Sequence, residues 1–163
     1  MKKFLFSLLG IAASAAIVSG VFSTASAQDE MTPQQRAEAA GELRHGLFEL
    51  LRFNLGPIIA MAQGAPFDAE LAERNARRIA AIAPMIPDVF AEDTRNFTMH
   101  THALDIIWED MDDFRDKAQA LVDNANAFAD IAAGGDRAAT MGAVRSLGGS
   151  CGNCHDTYRE EVD

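Results

Sequence analysis

From Leu104 onward, apolar residues recur at alternating spacings of three and four: Leu104, Ile107, Met111, Phe114, Ala118, Leu121, Ala125, Phe128 and Ala132. A helix returns to the same side every 3.6 residues, so this run predicts one long helix from about Ala103 to Ala133 with an apolar seam of the kind antiparallel bundles share. The punctuation around it predicts three more. Thr32 followed by Pro33 and Gln35 is a capping box, opening a helix that should reach about Ala62 and bend at Gly56 and Pro57. Asp68 caps a second helix that Pro84 and Pro87 forbid from continuing. Gly134 and Gly135 stop the seam helix, and Asp136 caps the last one. Between Pro84 and His102 lies a long connection without clear periodicity. No period-two run rich in Val, Ile or Thr occurs outside the N-terminal stretch. The predicted fold is all-α, an antiparallel up-down-up-down four-helix bundle.

The N-terminal stretch has another role. Lys2 and Lys3 precede an apolar, small-residue run from Phe4 to about Phe22, and Ala25-Ser26-Ala27 ends it. This is the pattern of a secretory signal peptide with cleavage after Ala27, and Ser7, Gly10, Ser14, Ser19 and Gly20 make the run too loose for a membrane anchor. The expected organisation is a leader over residues 1–27 and one domain over 28–163, exported to the periplasm if the source is bacterial. Taking 27 residues from 163 leaves a mature chain of 136, enough to bury roughly two thirds of the surface of its unfolded form. Both leader lysines leave with it, so twelve basic residues face twenty-four acidic ones, a net charge of −12 with histidine neutral. Such a surface repels nucleic acid, needs no membrane after cleavage, and favours cationic partners.

Near the C-terminus stands "SCGNCHDTYR", with Cys151, Cys154 and His155. A redox dithiol would sit at a helix start after a strand, and strands are not expected here. Structural zinc wants four ligands, and His45, His100 and His102 lie at unpaired spacings. A disulfide within the motif is strained and closes too small a loop to stabilise much. None of these uses His155 as well. On a helix the three residues share one side, so each thiol can add to one haem vinyl group while the imidazole takes the iron as axial ligand. The motif and the export signal agree on one covalently attached haem c, with His155 as metal ligand.

Placed on the last helix of a bundle, with only eight residues after His155, the motif gives the chain a resemblance to the cytochrome c′ family. Cytochromes c′ are themselves a standard example of the four-helix bundle, so the architecture is in part recognised. The resemblance spans the mature chain: "LRHGLFELLRFNLGPIIAM" is similar to the family's first helix, "THALDIIWEDMDDF" to the start of its third, and "LGGSCGNCHDTYRE" to its haem helix. It implies that Arg44 lies near a haem propionate, beside His45 where relatives often have glutamine. It further implies a propionate contact at Thr101, aromatic walls at Phe90 and Trp108, and a proximal pocket including Tyr158 and Arg159.

Read without the resemblance, Trp108 is a plain core residue beside the seam and Arg44 a solvated helix charge. His100 and His102 are expected to be exposed, and the scattered methionines to be core filling. Phe48 is the discriminating position. It lies one turn after Arg44, where low-spin relatives carry a methionine ligand, and a phenyl ring cannot ligate. The resulting expectation is a five-coordinate, high-spin haem protein that binds nitric oxide and carbon monoxide for sequestration or sensing, with electron transfer to a redox partner protein as an additional role. No residue trio points to nucleophilic catalysis, and no phosphate-binding glycine loop is present, so an enzyme is not expected. The alternatives are a dedicated six-coordinate electron-transfer cytochrome, with His45 or another side chain as sixth ligand, and a weak haem peroxidase. Leu43, Leu47, Leu50 and Phe53 make the first helix apolar on a second side, which points to a homodimer through that helix.

Overall fold

The structure is a computed structural model that describes residues 31–161; the expected leader lies outside the described residues. Helix α1 spans Pro33–Ala62 and opens as the capping box requires. Gln35 donates its backbone N–H to Thr32 Oγ1 at 3.2 Å, and Thr32 returns its own N–H to Gln35 Oε1 at 2.7 Å. The helix continues through Pro57. The backbone hydrogen bond lost there belonged to Phe53, an exposed residue whose carbonyl has water available. Helix α2 spans Ala69–Ile82 from the Asp68 cap, and Pro84 ends it in a 3-10 turn at Ala83–Met85. One further turn, α3 at Ile86–Val89, leads into the connection.

The seam helix is shorter than its apolar pattern predicts. A single turn, α4 at Ile106–Glu109, precedes a break, and the long helix α5 spans Met111–Ala133. Two causes act together. The Asp110 side chain accepts the Asp113 N–H and so caps a new helix at that point. Upstream, the backbone of residues 102–104 is engaged elsewhere: Leu104 donates to the Tyr158 carbonyl at 3.0 Å, and His102 accepts from the Glu160 N–H at 2.8 Å. This one antiparallel bridge, Ala103 with Arg159, is the only β-type pairing among the described residues. Helix α6 spans Arg137–Tyr158, with Asp136 accepting from Ala138 and Ala139.

Helix α1 packs on α2, α2 on α5 and α5 on α6, whereas α6 and α1 touch sparingly. The four long helices therefore form a four-helix bundle with one thinly closed side. Alanines fill much of the core, at Ala37, Ala72, Ala76, Ala118, Ala125, Ala129 and Ala132, and let the helices approach closely. The bulk comes from Ile58, Ile107, Phe128 and Leu147, each fully buried and each contributing roughly 1.5–3 kcal/mol. From Phe114 to Ala132 the seam residues Phe114, Ala118, Leu121, Ala125, Phe128 and Ala132 are all buried, as their spacing predicts. Leu47 corrects the expected outer stripe of α1, because it is buried in the core. Leu43, Leu50 and Phe53 do face outward, at 64%, 55% and 70% exposure.

Candidate haem-binding site

The last three turns of α6 carry the chemistry. Cys151 and Cys154 are free thiols, half-buried against the core. Burial pushes both thiols up, Cys154 to about 11 even with Lys117 nearby, so they remain protonated. His155 is exposed at the surface. Partial desolvation, helped by the positive charge of Arg159 and opposed by Asp156, holds its imidazole below the ordinary histidine range. That favours the neutral form, the one that can ligate a metal. Gly148 and Gly152 lie on the same side of the helix as Cys151 and His155, and a Cβ at either would meet nothing within 4 Å. The helix surface beside the two thiols is bare, which suits a flat macrocycle laid against it.

A second group of side chains comes from α1, the connection and α4. Arg44 is only 5% exposed, so it is not a solvated charge. Its Nε donates to the Val89 carbonyl at 2.9 Å, Nη1 to Thr94 Oγ1 at 2.8 Å and Nη2 to the Glu92 carbonyl at 2.8 Å. Three of five N–H groups are thereby committed to the connection and two are left for another acceptor. Burial lowers its affinity for the proton, with Glu92 and Asp93 opposing. The guanidinium lies over Phe90 and Trp108, at 4.5 and 5.2 Å from the ring centroids. Trp108 donates its indole N–H to the Phe90 carbonyl at 2.9 Å. Phe48, 37% exposed, meets Phe90 edge-on with centroids 6.3 Å apart.

The other expected residues do not touch Arg44 or Trp108 directly, but Arg159 lies near His155 and Tyr158 meets Phe114 edge-on with centroids 5.1 Å apart. His45 is exposed, and the nearby charge it influences is Glu49. Thr101 is exposed, and its hydroxyl accepts the Ala103 N–H at 3.1 Å, a local turn contact. Arg159 is exposed and ends α6 in extended conformation. Tyr158 is buried, but its hydroxyl turns to α5, donating to Asp113 Oδ2 at 2.7 Å and lying 3.3 Å from the Asp110 carbonyl. It anchors the end of the haem helix. His100 and His102 are exposed as expected, with rings 6.0 Å apart and His102 3.5 Å from Glu160. Thr94 and Asp113 are the site residues that sequence reasoning missed. Each is found only through its partner, and nothing local to it in the sequence marks it.

A family description, cytochrome c′, matches residues 39–159. The chain belongs to the cytochrome c′ family. Among its relatives, cytochrome c-554 of Cereibacter sphaeroides is 38% identical over 154 residues, covering 93% of this chain and 97% of the relative. Cytochrome c prime from Shewanella frigidimarina aligns with a TM-score of 0.69 and 34% identity, over 77% of this chain and 97% of that one. A nitric oxide complex of a cytochrome c prime variant from Alcaligenes xylosoxidans aligns at 0.67 and 28%, again over 77% and 97%. Cytochromes c′ carry one covalently attached c-type haem, and the residues present fit it. Cys151 and Cys154 supply the two thiols, a neutral His155 stands on the same side, and Gly148 and Gly152 leave that side clear. Like the other cytochromes c′, this chain is a haem-carrying helical bundle.

Proposed function

We propose that this protein holds its iron through His155 alone and takes up nitric oxide or carbon monoxide on the side covered by Phe48, sequestering or sensing the gas and, in addition, passing electrons to a redox partner. Phe48 carries the reading. It stands one turn beyond Arg44 on α1, edge-on to Phe90, and it offers a hydrocarbon ring with no atom that can coordinate iron. The haem supplies, when bound, an iron centre that coordinates a diatomic gas. Everything else is done by the chain. Cys151 and Cys154 fix the macrocycle to α6, and His155 presents a neutral nitrogen. Phe48 excludes water and gives no hydrogen bond to a polar ligand, which disfavours dioxygen relative to carbon monoxide. The solved nitric oxide complexes of a relative support this ligand class.

The exposure of His45 weighs against its serving as a sixth ligand or as a peroxidase's acid–base group, and three N–H groups of Arg44 are bonded to the connection. A cleaved leader over residues 1–27 supports a periplasmic mature chain, 28–163, in a bacterial source, and the charge of −12 on that chain favours a cationic redox partner. The outward Leu43, Leu50 and Phe53 support a homodimer contact through α1. An absorption spectrum of the ferric and ferrous protein tests the central claim. High-spin, five-coordinate bands are expected in both states, and a low-spin, six-coordinate spectrum would reject the reading in favour of the electron-transfer rival.

A further inference from the structure

Phe48 leans on a ring that is held from every direction. Phe90 is buried, with the rings of Trp108 and Phe114 at 6.0 and 5.1 Å and the Arg44 guanidinium 4.5 Å above its centroid. Its backbone is pinned at both polar atoms: the N–H donates to the Pro87 carbonyl at 3.2 Å, and the carbonyl accepts from Trp108 Nε1 at 2.9 Å. Arg44 then holds the chain on either side of it, through the Val89 carbonyl before and the Glu92 carbonyl and Thr94 hydroxyl after. Moving Phe90 would break several of these contacts at once. Phe48 is less restrained, with over a third of its surface in solvent.

We infer that Phe90, immobilised by Arg44 and Trp108, is the backstop that limits how far Phe48 can swing, and that Trp108 and Thr94 are therefore positioning residues for gas entry. This rests on the reading of Phe48 as the cover of the ligand side. Two small changes loosen the backstop without removing a ring. Trp108→Phe keeps an aromatic body and deletes the N–H that holds the Phe90 carbonyl. Thr94→Val keeps the volume and deletes an acceptor of Arg44.

Both variants are made in the holoprotein, alone and combined with Phe48→Ala, and carbon monoxide association is followed in the ferrous state. Amide exchange over residues 86–97 is read in parallel by mass spectrometry. Trp108→Phe should speed exchange in that segment and raise the association rate about fivefold, the equivalent of one intramolecular hydrogen bond. Thr94→Val should act in the same direction and serves if the tryptophan variant folds poorly. With Phe48→Ala already in place, neither should add anything, because no ring is left to restrain. That loss of effect separates a positioning role from a structural one. If exchange quickens while association stays at the wild-type rate, or the full acceleration persists without Phe48, the backstop is wrong and the cover still stands. If Phe48→Ala itself leaves association unchanged, cover and backstop fall together.

Discussion

Three residues of α6 and one of α1 carry the proposed haem chemistry. Replacing Cys151 and Cys154 together by alanine removes both thioether partners, so the double variant should carry no haem through a denaturing gel stained for haem. Covalent haem surviving there would end the haem c assignment. Phe48 is the proposed determinant of the coordination number. Phe48→Ala should raise carbon monoxide affinity by removing the ring a ligand must displace, whereas Phe48→Met should shift the spectrum toward low spin and lower that affinity through competition from sulfur. An unchanged spectrum in Phe48→Met would show that the residue does not reach the iron. Tyr158 gives a pH signature. Burial, and after it the Asp113 carboxylate, raise its phenol well above the ordinary tyrosine range, so the native state favours the protonated ring. Its contribution is complete below the unfolded value near 10 and is lost as pH rises above it. The same hydrogen bond lowers Asp113, whose contribution is present above about pH 4 and is lost on acidification through the lowered value. Thermal melts should therefore show a decline above pH 10 in the wild type that is reduced in Tyr158→Phe. Parallel curves for the two proteins would place the phenol's stabilisation elsewhere.

At the level of elements, capping side chains decide where the helices begin. Asp136 satisfies two N–H groups at the head of α6, and losing that cap should cost about 1 kcal/mol, roughly 4 °C in Tm for a domain of this size. His155 lies nineteen residues further along, about 28 Å at 1.5 Å per residue. Asp136→Ala should thus lower Tm and leave the haem spectrum unaltered; a changed spectrum would mean that the whole of α6 moves as one unit with its cap. Asp110 illustrates a cap prevailing over a pattern. The seam spacing continues back to Leu104, yet Leu104 is partly exposed and the helix starts at Met111. The backbone of residues 102–104 gains its hydrogen bonds from the residues just after His155, and this ties the connection to the end of the haem helix.

At the scale of the whole molecule, the outward side of α1 is the proposed dimer contact. Leu43, Leu50 and Phe53 lie on a surface that is otherwise strongly acidic, and single exposed apolar residues of this size rarely cluster without a partner. Leu43→Glu or Leu50→Glu places like charges at a two-fold contact and should convert a dimer to monomers with little loss of haem. Sedimentation showing a wild-type monomer at high concentration would remove the dimer proposal. Leu47 belongs to a different surface, and Leu47→Ala should act on stability in place of assembly.

Local signals in the sequence determined most of the architecture. The three-and-four spacing of Phe114 to Ala132 and the caps at Thr32, Asp68 and Asp136 act within a few residues, so reading along the chain recovers them. The grouping of Cys151, Cys154 and His155 on one side of α6 was equally legible, because helical spacing alone produces it. What only the tertiary structure decided concerns residues whose partners lie far away in the chain. Arg44 is buried because carbonyls some 45 residues later accept its N–H groups, and Tyr158 is anchored because Asp113 lies across the α5–α6 contact. The same holds for the late start of α5, set by a backbone pairing with residues 158–160. Hydrogen bonds between distant segments form only once packing has brought the segments together, and no period or motif in a single stretch of chain records them.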